Sequence, residues 1–192
     1  MMKSIVGTQT EKNLLKAFAG ESQARMRYDY FAKQAKKEGL EQISAIFTET
    51  ALNEKEHAKS FFKFLEGTMV KITVSYPAGK IGTTLENLKA SIQGEKGEWS
   101  ELYPHFAQIA KQEAFDDIAE TFSKIAIAEK AHEARYKKLY QNLDRGKVFV
   151  SDKVVIWKCR NCGYLHEGTA PPERCPACLH PQSYFQIKEK NY

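Results

Sequence analysis

The chain has no long apolar run. Nothing in its 192 residues approaches the roughly 20 consecutive apolar residues of a membrane span, so no spanning helix is expected. Met1 to Thr10 carries neither an apolar h-region nor a cleavage pattern, so no secretory leader is expected there, and the paired Met1-Met2 offers two start positions. There is no Gly-x-Gly-x-x-Gly and no P-loop, which argues against a nucleotide bound to this chain itself. Basic residues are not gathered on any segment. The net charge is +5, and the stretch from Lys147 onward holds seven Lys/Arg against four Asp/Glu, so nucleic acid is not an expected partner. Cysteine is missing from the first 158 residues; all four fall between Cys159 and Cys178 as two Cys-x-x-Cys pairs. That grouping points to a metal held in a reducing compartment, with the cytoplasm as the expected location. Hydrophobic content of 42% and charged content of 28% fit a soluble globular chain, and the length suits one medium domain plus a small appendage.

What the chain does have is helical periodicity. Thr8-x-x-Glu11 predicts a capped helix start, with helix formers running to Lys37 before Gly39. A second helix is expected from near Leu40 to Gly67, with Ile43, Phe47, Thr50, Glu54, His57, Phe61 and Phe64 on one seam in steps of four and three. From Thr68 to Gly82 the pattern fails: Val70, Ile72 and Val74 alternate, and Pro77 and Gly79 break the chain, so a long connection with some extended backbone is expected. Thr83-x-x-Glu86 opens a third helix with Leu85, Leu88, Ile92, Glu95, Trp99 and Leu102 on its seam. Pro104 should kink or interrupt it before Phe106 and Ile109 resume. A fourth carries Ile118, Phe122, Ile125, Glu129, His132, Tyr136, Leu139 and Leu143 and ends before Gly146. The predicted fold is an all-α four-helix bundle with one long crossover, of ferritin-like type, over residues 1–146. Residues 147–192 form a small C-terminal β domain, too short to bury a core without a staple.

Acids stand where apolar residues belong. Glu21, Glu54, Glu95 and Glu129 occupy seam positions, and two of them open Glu-x-x-His pairs, Glu54 with His57 and Glu129 with His132. On a helix, residues i and i+3 share a face, so each pair points a carboxylate and an imidazole the same way. Glu21 precedes Glu54 by 33 residues and Glu95 precedes Glu129 by 34, a near two-fold repeat. For one glutamate, a place at the solvent edge is the simpler explanation; for six side chains it would require the same misplacement on every helix. Burying several carboxylates costs several kcal/mol each unless a cation compensates. Carboxylate with imidazole suits a pair of iron or manganese ions. Glu98, one turn beyond Glu95, has no counterpart in the first half and reads either as a further ligand or as a solvated residue. Tyr28 and Tyr103 are either core residues or hydrogen-bond partners that orient the carboxylates.

Cys159, Cys162, Cys175 and Cys178 follow Cys-x2-Cys-x12-Cys-x2-Cys, the pattern of one tetrahedral tetrathiolate ion. Geometry suits zinc and a single iron equally; a neighbouring redox centre in need of single electrons favours iron, flanked by Trp157, Tyr164 and Phe185.

Taken together, these motifs resemble the rubrerythrins over the whole chain. The resemblance rests on Ala19-Gly20-Glu21-Ser22-Gln23-Ala24-Arg25, Glu54-Lys55-Glu56-His57, Gly94-Glu95-x-x-Glu98, Glu129-x-x-His132 and the rubredoxin-like Cys175-Pro176-Ala177-Cys178. It implies two irons in the bundle and one in the four-cysteine site, where zinc is possible in isolated protein. By the same resemblance Glu54 and Glu129 bridge the irons, Glu21 is terminal on one, and Glu95 and His132 are terminal on the other. Glu98 and His57 exchange on the first iron, Glu98 bound when both are ferric and His57 when both are ferrous. The implied activity is reduction of hydrogen peroxide to water, protecting against oxidative stress, with electrons from an external NAD(P)H-dependent reductase or rubredoxin. A head-to-tail homodimer or larger homo-oligomer is implied as well. Gly97, inside the Glu95–Glu98 turn, departs from what a rigid ligand turn would want. Two other readings of the same residues are a ferroxidase or iron-storage protein of the ferritin-like class, and a non-enzymatic zinc-ribbon adaptor.

Overall fold

A computed structural model describes residues 3–189; the paired Met1-Met2 lies outside the described residues. Four helical rods form a ferritin-like bundle, and a three-stranded sheet follows it. Helix α1 spans Gln9–Lys37 and α2 Glu41–Phe62. The third rod is built from α3 (Thr84–Gly97), a π-helical turn over Glu98–Leu102 and α4 (Tyr103–Gln112), and α5 (Asp116–Asp144) is the fourth. Helices α1 and α2 pack as one pair, and the α3–α4 rod packs along α5.

The rods are held in register by acids that cap a neighbour. Thr8 accepts from the Glu11 amide at 3.1 Å, but the Glu11 carboxylate reaches the Gly7 amide rather than that of Thr8, so only half of the expected capping box forms. Glu113, just past α4, completes the cap by accepting from the amides of Gln9 at 3.1 Å and Thr10 at 2.8 Å. Glu38, at the end of α1, accepts from the Thr84 amide that opens α3. Thr83 and Glu86 form the full reciprocal capping box there. A carboxylate at a helix N-terminus satisfies orphan amides and meets the positive end of the helix dipole.

Helix α2 stops at Phe62, not at the expected Gly67. Phe64 and Leu65 turn back by three-residue hydrogen bonds, and Glu66 leaves the helix to bind the Ile5 amide and the Ser4 hydroxyl. The long connection, expected to be partly extended, forms no strand. It lies as an irregular strap over α1, pinned where Tyr76 donates to the Lys16 carbonyl at 2.6 Å.

The third rod departs most from its seam. Pro104 has no amide to give the preceding turn and falls within the first turn of α4; the π turn ahead of it absorbs the interruption by adding a residue. One extra residue rotates the inward face, so Tyr103 is fully buried while Leu102, expected inside, is 39% exposed. Helical glycine is scarce and costly, at about 1 kcal/mol against alanine. Among the described residues the helical elements contain three, Gly20, Gly94 and Gly97.

The core divides into two apolar clusters. One gathers Leu14, Phe61, Tyr103, Phe106 and Phe122. The other gathers Tyr28, Phe31, Phe47, Leu88 and Tyr136, and Val148 and Phe149 of the following segment pack on it. In the tail, β1 (Val155–Cys159) lies between β2 (Leu165–Gly168) and β3 (Phe185–Ile187), antiparallel to both, with Cys159 opposite Phe185. Trp157 and Phe185 join Cys159 and Cys175 in its small core. This unit meets the bundle at the α1–α2 turn, where Ser183 sits 3.6 Å from the place a Cβ on Gly39 would take. No described helix is long and apolar enough to cross a membrane.

Burial by itself would raise the Glu113 carboxyl, but the bonds from Thr10 and Gln9 hold it below the usual carboxylate range. Its contribution is therefore present above the unfolded-state value and is lost as pH falls through the lower folded one. Glu113→Ala should lower the melting temperature by about 2–3 °C near pH 7, since a mostly solvated cap contributes roughly 0.5–1 kcal/mol. In calorimetric scans the gap between wild type and variant should close as pH falls below about 4; a gap independent of pH would refute the charged cap.

Candidate metal centres

Between the two apolar clusters lies a layer of acids. Glu21 (α1), Glu54 (α2), Glu95 (α3) and Glu129 (α5) are each at most 1% exposed, and His132 is 7% exposed. His57 is more open, with 15% of its side chain accessible. Each position follows from the 3.6-residue period, which places these residues in line with Phe47 and Phe61 on α2 and with Ile125 and Tyr136 on α5.

Two groups of ligand atoms form. Glu21, Glu54, His57 and Glu129 make one, Glu54, Glu95, Glu129 and His132 the other, and within each group the nearest donor atoms all lie within 4.8 Å of one another. Glu54 and Glu129 belong to both. Glu54 turns Oε2 toward His57 Nδ1 at 2.9 Å and Oε1 toward His132 Nδ1 at 3.3 Å. Glu129 turns Oε1 toward His57 Nδ1 at 2.8 Å and Oε2 toward His132 Nδ1 at 2.8 Å. Each shared carboxylate thus gives one oxygen to each side, while Glu21 and Glu95 serve one side apiece.

Two tyrosines hold the unshared acids. Tyr28 of α1 donates to Glu95 Oε1 at 2.5 Å, and Tyr103 of α4 donates to Glu21 Oε1. Both hydroxyls therefore act on carboxylates as well as filling core. Tyr28 follows Glu21 by seven residues, and Tyr103 follows Glu95 by eight. The π turn accounts for the extra residue and lets the second tyrosine reach across the bundle as the first does.

The electrostatics state what the pocket lacks. Glu21 Oε2 is buried without a hydrogen-bond partner, and the only polar neighbours of Glu54 Oε1, Glu95 Oε2 and both Glu129 oxygens are the imidazole nitrogens of His57 and His132. Burial and the neighbouring carboxylates push Glu21 well above its ordinary value, and burial with Glu54 and Glu129 lifts Glu95 to about 8 despite the pull of His132. Burial alone would lower His57, but its contacts with Glu129 and Glu54 outweigh this and raise it to about 9. Acids held protonated beside imidazoles held charged are what a carboxylate pocket does in place of binding cations. Four carboxylates with neutral imidazoles balance the charge of two divalent ions, and their oxygens supply the donors. The residues fit a pair of iron ions.

Glu98 is in neither group. It stands half-buried at the start of the π turn and lines a cleft of about 580 Å³ between α1, the third rod and the strap. Arg27 and Tyr76 share that cleft. Sequence reasoning missed a further anchor: Trp99 of the π turn donates its indole N–H to Glu133 at 3.0 Å, with Lys130 over its ring at 4.9 Å. Neither contact follows from helical period, because Trp99 and Glu133 lie on different helices.

The four cysteines converge as expected. Cys159 Sγ and Cys178 Sγ are 3.7 Å apart, Cys162 Sγ and Cys175 Sγ 3.6 Å. A tetrahedron with metal–sulfur bonds of about 2.3 Å has edges near 3.8 Å, so the cage is sized for one zinc or iron ion. Each knuckle closes the same way, the Gly163 amide binding the Cys159 carbonyl and the Leu179 amide the Cys175 carbonyl, both at 2.8 Å. Gly163 and Leu179 take φ of +80° and +62°; leucine is strained there and glycine is not. The amides of Tyr164 and His180 point at the sulfurs of Cys162 and Cys178, and such bonds tune the potential of an iron–thiolate centre.

Comparison with known proteins agrees with both sites. The Rubrerythrin family model matches residues 12–140, and the model for the rubredoxin-like domain of rubrerythrin matches residues 157–186. The rubrerythrin of Porphyromonas gingivalis is 55% identical over 192 residues, covering all of this chain and 96% of the relative. That of Nitratidesulfovibrio vulgaris is 53% identical over 191 residues, covering both chains in full. Among solved structures, a mixed-valence state of nigerythrin superposes with a TM-score of 0.64 at 30% identity, covering 97% of this chain and 92% of the other. With a two-iron site in its bundle and a one-iron tetrathiolate site in its tail, this chain belongs to the rubrerythrin family.

Proposed function

We propose that this chain is a peroxidase that reduces hydrogen peroxide to water, with electrons entering singly through its tetrathiolate iron from an external NAD(P)H-dependent reductase or a rubredoxin. The observation that carries the reading is the presence, in one chain, of two donor sets of opposite character. A carboxylate–imidazole pocket suits oxygen chemistry, and a tetrathiolate cage suits one-electron transfer with little rearrangement. An iron-storage bundle has no use for the second, and an adaptor has no use for the first.

In this reading Glu54 and Glu129 would be shared by the two irons, since each turns one oxygen to either side. Glu21 and Glu95 are terminal, steadied by Tyr103 and Tyr28. His132 completes the Glu95 side and His57 the Glu21 side. When bound, the iron pair supplies two electrons, one from each ion, and a two-point clamp for the oxygens of the peroxide. Glu98 and His57 are the residues that move. With irons bound, a more positive pocket would favour the Glu98 carboxylate, which would enter from the cleft, over the neutral His57 imidazole. Burial and acidic neighbours favour a protonated Glu98 in the outer position, so its entry releases a proton that can go to a departing oxygen.

The path for electrons bears on assembly. The tail packs at the α1–α2 turn, and Glu54 is thirteen residues beyond the start of α2. At 1.5 Å per residue that is about 20 Å of helix. A second copy arranged head to tail would bring its own tetrathiolate centre nearer, and we take that homodimer as the working unit.

Glu54→Ala should drop bundle iron from two per chain to below about one, because removing an inner ligand costs more than the 10- to 100-fold typical of outer partners. The absorption of the tetrathiolate iron should persist; two retained bundle irons would rule out the bridging role. Cys159→Ser should cut donor-driven turnover at least about 100-fold while chemically prereduced enzyme still consumes peroxide in a single turnover. Turnover with the donor at the wild-type rate would sink the relay.

A further inference from the structure

The cleft beside Glu98 is larger than hydrogen peroxide requires. Its volume of about 580 Å³ lies inside the range of roughly 300–1,000 Å³ that small-molecule sites occupy, whereas a water molecule takes about 30 Å³ and hydrogen peroxide is little bigger. The room is kept open by missing side chains. Gly20, Gly94 and Gly97, the helical glycines of the described residues, all line this one cleft. None avoids a collision. A Cβ at Gly97 would meet nothing within 4 Å, one at Gly94 only Arg27 at 3.6 Å, and one at Gly20 only the Tyr76 side chain, from 3.6 Å. None of the three has positive φ. Alanine would suit the helices better at each position, so what the glycines provide is space.

The walls and floor indicate what that space admits. Ala17, Pro77, Leu102 and the Tyr76 ring make much of the wall apolar, with Lys16, Arg27 and Glu101 the charged groups beside it. The floor is Tyr103 and Glu98, and the Tyr103 hydroxyl binds Glu21 of the metal cluster. A molecule seated here has one end against Glu98 and Tyr103, the residue that holds Glu21, and its other part against apolar surface.

We infer that the cleft is a substrate pocket for organic hydroperoxides, ROOH, with R an uncharged alkyl or aryl group such as cumyl. The inference rests on the peroxidase reading and extends its substrate class. The two electrons are those the peroxidase reaction already delivers: ROOH takes two electrons and two protons, the O–O bond breaks, and ROH and water leave.

The test uses the full-length iron-loaded protein, reduced anaerobically and mixed in stopped flow with hydrogen peroxide or cumene hydroperoxide. Titration calorimetry with cumyl alcohol, the redox-inert product, reports binding without turnover. Cumene hydroperoxide should oxidise the protein with an efficiency within about tenfold of hydrogen peroxide. Gly20→Leu, checked for unchanged iron content, should lower that efficiency by about tenfold or more and abolish the heat of cumyl alcohol binding, while hydrogen peroxide changes by less than about threefold. Should Gly20→Leu lose iron, the double variant Gly20→Ala/Gly97→Ala carries the comparison. A higher melting temperature with a lower cumene-to-hydrogen-peroxide ratio supports the pocket, and an unchanged ratio overturns it. Reactivity with hydrogen peroxide but not cumene hydroperoxide overturns this inference alone; failure with both overturns the peroxidase reading and this inference with it.

Discussion

Four carboxylates confined between two layers of aromatic side chains are the constraint on which the rest depends. Phe61, Tyr103 and Phe122 close the layer on one side, Tyr28, Phe47 and Tyr136 on the other. In such surroundings uncompensated negative charge is expensive, and the protein alone answers it only by holding protons on acids and imidazoles. Two divalent ions would remove the need for those protons and take up the carboxylate lone pairs that face the pocket. The cluster is therefore both the reason these helices tolerate acids in their seams and a cross-link among all four rods.

Holding that cluster requires the rods to stay in register, and polar contacts at their ends and along their flanks achieve it. Glu113 and Glu38 cap neighbouring helices, and Tyr28 and Tyr103 reach across the bundle to acids of the other half. The π turn is where the two halves differ. It inserts one residue between Glu95 and Tyr103, so the tyrosine faces inward and Leu102 faces out, and it sets Glu98 at the cleft rather than within either group of ligands. Pro104 makes the distortion cheap, since the α-helical bond it cannot donate is one the wider turn does not need. Trp99, anchored on Glu133, ties the turn to α5.

The tail solves a different problem by a different means. Three short strands cannot bury enough to be stable alone, and the tetrathiolate cage supplies the missing cross-link. Its attachment at the α1–α2 turn places it on the bundle but far along α2 from the acids. Structural cohesion and electron delivery thus make separate demands on where the tail sits.

Much of this was legible in the residues themselves. Steps of four and three locate the seams, acids in those seams announce the cluster, and paired Cys-x-x-Cys announces the cage, because each depends on local geometry that repeats along the chain. The early end of α2 was not legible: it follows from Glu66 reaching Ser4 and Ile5, more than 60 residues away in sequence. Nor was the inward turn of Tyr103, since helical period assumes 3.6 residues per turn and a π turn breaks that count. The sequence by itself determined which acids and imidazoles stand in the apolar seams and on which rods they ride, because both follow from the 3.6-residue period. Only the tertiary structure decided which oxygen faces which side, that Glu98 stands apart and that a cleft opens beside it, because those depend on how separate helices are rotated and set against one another.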